Sequence, residues 1–218
     1  MPAALNPYAV VRAPSGSAFV SVDNELRRLD ATGAFTTIAS VDGHIGPVAA
    51  ARNGDVYFTT GTRIFRLAGG AGTPVRIAGT GVEGGGGDGG PAANAQLSSP
   101  HGLAIAADGA VLVCDTGNDR VRRIDPATGV ITAVAHVGGP RGIDVAADGT
   151  IYVVDSVEKR LLRLGPSGAR IGFLGPSFGD PYDVEVADAG VAYVLEAGPT
   201  GWVRRVAADG TVTTVSRG

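Results

Sequence analysis

Five prolines, Pro7, Pro47, Pro100, Pro140 and Pro181, each open the same short pattern, so the chain is one supersecondary unit written five times. They stand 40, 53, 40 and 41 residues apart. That period fits a four-stranded blade repeated around an axis and is too long for leucine-rich or ankyrin units.

An alternating segment follows each proline, such as Gly102-Leu103-Ala104-Ile105 or Tyr182-Asp183-Val184-Glu185. A glycine then turns the chain nine residues past the proline (Gly16, Gly109, Gly149, Gly190), but seven past it in the second copy (Gly54). Second strands rich in branched and aromatic residues come next, as in Val56-Tyr57-Phe58 and Ile151-Tyr152-Val153. Third strands repeat an arginine at one position: Arg28, Arg66, Arg123, Arg163 and Arg205. After another glycine turn a fourth strand closes each copy, and no segment shows sustained helical periodicity. A lone four-stranded sheet cannot cover both of its apolar faces, so the copies must stack on one another.

The expected fold is therefore all-β, a propeller of five four-stranded antiparallel blades at about 7–39, 47–78, 100–135, 140–175 and 181–216, in a single domain over 1–218. A glycine-rich inter-blade loop over 79–99 accounts for the longer second interval. Closure requires face packing between the first and fifth blades. The alternative is a fragment of a six-bladed ring.

The 35 glycines fall between short β-branched runs, as in turn-rich all-β chains. A net charge of −3, with both signs interspersed, gives no electrostatic footprint for nucleic acid. No stretch approaches the roughly 20 apolar residues of a membrane span, so no membrane insertion is expected. The segment Met1–Leu5 lacks the basic and apolar regions of a secretory leader, which leaves a cytoplasmic protein or an exported domain without its signal. The single cysteine, Cys114, sits in an apolar run and reads as a small core residue.

The run Ala78-Gly79-Thr80-Gly81, Gly87-Asp88-Gly89-Gly90-Pro91-Ala92, Gln96-Leu97-Ser98-Ser99-Pro100 and Asp115-Thr116-Gly117-Asn118-Asp119-Arg120-Val121-Arg122-Arg123-Ile124-Asp125 resembles bacterial NHL-repeat proteins. The other blades share the skeleton of that pattern. The resemblance implies a propeller; its relatives include sensor, interaction and RNA-binding modules and a few enzymes, so it does not select a function.

Residues just after each proline lie near those ending each second strand. Tyr8, His101, Arg141 and Tyr182 are thus expected to meet Asp115, Asp155 and Glu196 around one channel mouth, a polar and partly aromatic ring suited to a protein, peptide or small-molecule ligand. The function expected is a non-catalytic binding, interaction or sensor module, with no cofactor. The alternative is a metal-dependent hydrolase or lyase holding calcium or zinc. Resemblance to amidating lyases would place metal histidines directly after three prolines, and only Pro100-His101 matches; His44 and His136 lie further out in the loops. Resemblance to lactonase-type propellers would use channel acids, for which Asp144, Asp183 and Glu185 qualify without the asparagine that completes such a set. Gly79-Thr80-Gly81-Val82-Glu83-Gly84 matches a dinucleotide fingerprint in letters only, because the glycines after it cannot begin the required helix. Asp88 offers at most a weak cation contact. The arginine ladder is expected to pair with surface acids such as Asp30 and Asp125.

Overall fold

The computed structural model describes residues 7–13, 16–198 and 201–217; the Met1–Leu5 segment lies outside them. Blade one holds β1 (Pro7–Arg12), β2 (Ala18–Val22), β3 (Glu25–Leu29) and β4 (Phe35–Ser40). Blade two holds β5 (Ile45–Ala50), β6 (Val56–Thr60), β7 (Arg63–Leu67) and β8 (Val75–Ala78). Blade three holds β9 (Pro100–Ile105), β10 (Val111–Asp115), β11 (Arg120–Ile124) and β12 (Ile131–His136). Blade four holds β13 (Pro140–Val145), β14 (Ile151–Asp155), β15 (Arg160–Leu164) and β16 (Arg170–Leu174). Blade five holds β17 (Pro181–Val186), β18 (Ala192–Glu196), β19 (Trp202–Val206) and β20 (Val212–Arg217). Each blade is one antiparallel meander in chain order, and the five form a β-propeller. The five turn glycines between first and second strands all take positive φ, from 73° to 88°, the conformation for which glycine is needed.

Apolar side chains of successive blades interlock in four clusters. One and two meet through Phe19, Leu26, Ile45 and Phe58; two and three through Ile64, Leu97 and Ile131. Three and four meet through Leu112, Cys114, Val153 and Leu162; four and five through Val154, Leu161, Val184 and Val194. Each fully buried leucine or isoleucine contributes about 1.5–3 kcal/mol relative to exposure, so these clusters are the main cohesion between blades. Cys114 is fully buried among them, and burial pushes its thiol up.

The expected face packing between blades one and five is not found. Among the described residues no apolar cluster joins them, and Val10 and Leu195, on the faces turned away from blades two and four, stay 70% and 43% exposed. Blades one and five do meet at the channel mouth, where the Tyr8 and Tyr182 hydroxyls lie 3.3 Å apart.

Register corrects the second blade. Pro7, Pro100, Pro140 and Pro181 lie opposite Val22, Asp115, Asp155 and Glu196, whereas Thr60 at the same place in blade two lies opposite Ile45, not Pro47. Ile45 precedes Gly54 by nine residues, which restores the spacing seen in the other blades. The residue after the opening position is therefore Gly46, and Val48 is a buried residue paired with Phe58. A side chain at Gly46 would meet the Thr59 hydroxyl at 2.6 Å, so this position contributes none to the mouth.

The 79–99 loop is a clamp between blades two and three. Ala92, Ala95 and Leu97 sink into the core, and the loop exchanges backbone hydrogen bonds with Ile131 through Gly89 and Gly90. Asp88 takes Arg120 at 3.1 Å and Arg122 at 2.9 Å, so its carboxylate is already committed to two guanidinium groups.

Candidate functional site

Every inner strand carries one extra residue immediately after its opening position, against one fewer on the second strand. Such a bulge breaks the alternation locally and re-aims a side chain. In four blades it delivers Tyr8, His101, Arg141 and Tyr182 to one end of the channel. The Tyr8 hydroxyl lies 3.3 Å from that of Tyr182 and 3.4 Å from His101 Nε2. The His101 and Tyr182 rings meet edge to face at 5.2 Å, and the Arg141 guanidinium stands 5.6 Å from the Tyr182 ring centre. Four blades thus share one contact network.

Two members were not evident from sequence. The His44 ring meets Tyr8 edge to face at 5.2 Å, and Asp180 pairs with Arg141 at 3.1 Å. Each directly precedes the opening residue of its blade, Ile45 or Pro181, so the signal was present once the register is right. His136 lies exposed on the outermost strand of blade three, opposite the backbone of Arg120, and does not join the mouth.

Asp115, Asp155 and Glu196 stand at the expected strand ends, but the structure does not bring them to the mouth surface. They are 0%, 3% and 4% exposed, with carboxylates engaged in the scaffold. Asp115 accepts from the Ser98 amide and the Asn118 side chain, both at 2.8 Å, and pairs with the fully buried Arg122. Asp155 accepts from the Glu158 amide at 2.8 Å. Glu196 accepts from the Gly179 amide and from Arg204 Nε. Asp115 and Glu196 hold the incoming connection two residues ahead of the proline, which fixes where the bulge begins.

Beneath the rings lie Asp144, Asp183 and Glu185. Asp144 accepts from the Val186 amide of the next blade at 2.7 Å, and Asp183 from Val184 at 2.9 Å. Asp144 is half-buried, whereas Asp183 and Glu185 keep an exposed face; partial burial raises the affinity of all three for protons, and the neighbouring carboxylates raise Asp183 and Glu185 further, Glu185 to about 7. Burial, the Tyr182 hydroxyl and the Asp183 charge push the Tyr8 phenol up, so it stays neutral. Burial first, then Arg141, hold His101 below its ordinary value, leaving a neutral imidazole whose Nε2 stands 3.4 Å from the Tyr8 hydroxyl. The site therefore combines neutral aromatic walls with carboxyl groups below and one guanidinium already paired.

A metal-dependent reaction would need three or more donors converging on one point. Among the described residues, no group of three His, Cys, Asp or Glu stands in such an arrangement, and the channel acids do not fit a calcium or zinc centre. Two of the five ladder arginines form ion pairs within their own blades among the described residues: Arg66 with Asp55, and Arg123 with Asp108 and Asp125. Arg28 lies near Asp30 and contributes to lowering it, after the Thr32 and Ala34 hydrogen bonds.

The NHL repeat profile matches residues 97–124. No curated protein matches the sequence. Among solved structures, catalytically inactive virginiamycin B lyase from Staphylococcus aureus with quinupristin is 18% identical, with 98% of this chain and 71% of that chain covered and a TM-score of 0.74. A gluconolactonase from Xanthomonas campestris is 16% identical, covering 96% and 72%, with a TM-score of 0.71. A chain of the nidogen/laminin complex is 16% identical, covering 91% and 77%, with a TM-score of 0.74. These likenesses share a fold. No described helix is long and apolar enough to cross a membrane. Residues 97–124 form an NHL repeat, and the five-bladed architecture around them fits an NHL-repeat β-propeller.

Proposed function

We propose that the protein is a non-catalytic binding propeller that grips a basic side chain of a protein or peptide partner at the channel mouth. The observation that carries this reading is the convergence of Tyr8, His101, Arg141 and Tyr182 from four blades into one contact network above Asp144, Asp183 and Glu185. Aromatic faces attract a cation, and the carboxyl groups below supply the opposite charge. Asp183 acts on the Tyr8 phenol from below and Asp180 neutralises Arg141, so negative charge prevails at this end. Asp115 and Glu196 serve the site by fixing the strand openings. The nidogen/laminin chain gives a precedent of the same fold within a protein complex.

An array of short peptides, each with one lysine or arginine among small residues, tests this. Wild-type protein captures a subset of the basic peptides and none of their glutamine counterparts. Tyr182→Ala and Asp183→Asn each weaken capture roughly ten-fold, the scale of one lost charge-assisted contact. Equal capture of basic and glutamine peptides, or full retention by both variants, rules the reading out.

A further inference from the structure

The opposite end of the channel opens into a basin of about 1240 Å³. This exceeds the roughly 300–1,000 Å³ of ordinary small-molecule sites, so it has room for a sizeable ligand. Its walls are the far ends of the inner strands and the turns after them. Ile105, Val145 and Val186 give an apolar lining, extended by alanines of those turns, and Tyr57 and Tyr152 flank it.

The acids of the basin are each engaged by groups of the scaffold. Asp55 is taken by Arg66 at 2.7 Å, by the Gly69 amide and by Asn53. Asp108 and Asp125 are held by Arg123, and Asp148 accepts from the Thr150 amide at 2.9 Å. Arg12, Arg52 and Arg163 also line the basin, and no acid pairs with them among the described residues. The Nε of Arg163 is buried without a hydrogen-bond partner. The Nε itself is closed to solvent, so a ligand in the basin meets this guanidinium through its terminal nitrogens.

We infer that this basin is a second binding site, for an amphipathic anion: a carboxylate on an apolar or aromatic body. The carboxylate meets Arg163, with Arg12 and Arg52 at the rim, and the body lies on the Ile105, Val145 and Val186 wall. Guanidinium geometry suits a carboxylate better than a point cation does. The site does not depend on the mouth, from which it draws no residue.

Calorimetric titration with octanoate and with naphthoate, each beside its neutral alcohol, octanol or naphthalenemethanol, tests the inference on the whole protein. At least one acid binds, roughly ten-fold or more tightly than its alcohol. An octanoate preference marks a lipid-like ligand and a naphthoate preference an aromatic acid. Arg163→Gln weakens that binding by a similar factor. Exposed Arg52→Gln, which removes no internal contact, weakens it less, and Tyr182→Ala leaves it unchanged. The inference is overturned if neither acid binds, if acid and alcohol bind equally, or if the double variant Arg163→Gln, Arg52→Gln binds as wild type.

Discussion

The same five inner strands begin at the mouth and end at the basin, yet the two ends are built on different principles. At the mouth each strand opens with a bulged residue, and in four blades that residue is large and polar: Tyr8, His101, Arg141 or Tyr182. Their rings touch across the axis and leave the carboxyl groups beneath them. At the basin the strands run out into alanine-rich turns, so the end stays open and its charge comes from arginines set back on the walls. A propeller fixes where strands begin and end; what the residues there are free to do depends on whether scaffold contacts already use them. Asp115 and Glu196 are used, Arg163 Nε is not.

The sharpest way to break this contrast is at the anchors of the mouth. Asp115→Ala leaves the fully buried Arg122 without one of its two carboxylates, and is expected to cost about 3–5 kcal/mol in urea denaturation, the scale for breaking a buried ion pair. A loss below about 1 kcal/mol would place Asp115 among ordinary turn residues instead. Gly142→Ala comes next. Its new methyl group would stand 2.5 Å from the Asp183 backbone, where blades four and five meet, and should cost about 1–3 kcal/mol. Unchanged stability would mean the blades are looser there than described.

Protonation offers a smaller test. Glu185 holds its proton up to about 7, against an ordinary value of 4.5, so the folded chain binds more protons than the unfolded chain between those values. Stability then falls as pH rises through that window, with the cost fully present above about 7 and absent below about 4.5. Asp144 and Asp183, raised in the same direction, act alike. Glu185→Gln should therefore raise the melting temperature at pH 8 and leave it unchanged at pH 4; an equal rise at both would assign the effect to packing. At the basin, exposed Arg52→Gln should change stability by no more than about 0.5 kcal/mol, since no scaffold contact depends on it.

Much of this was legible from spacing. The blade period, the turn glycines and the four mouth residues follow from aligning the repeats, because strand geometry turns equal spacing into equal position. Blade two shows the limit. Pro47 imitates the repeat two residues late, and only hydrogen-bond pairing identifies Ile45 as the true opening. The seven-residue distance to Gly54 was the warning. The fate of the acids was not legible either: whether Asp115 faces a ligand or an amide depends on Ser98 and Arg122, which the turn and the 79–99 clamp bring to it. The basin has no motif at all, since alanines and turn residues acquire meaning only when five strand ends are gathered round one axis.

The most direct measurement is an amide-shift map of the isotopically labelled protein titrated with a lysine peptide from the array. The account predicts shifts concentrated at the mouth, on Tyr8, Gly102, Arg141 and Asp183, with the basin turns at Gly109 and Gly149 unmoved. Shifts confined to those turns, or to the outer strands, would contradict it.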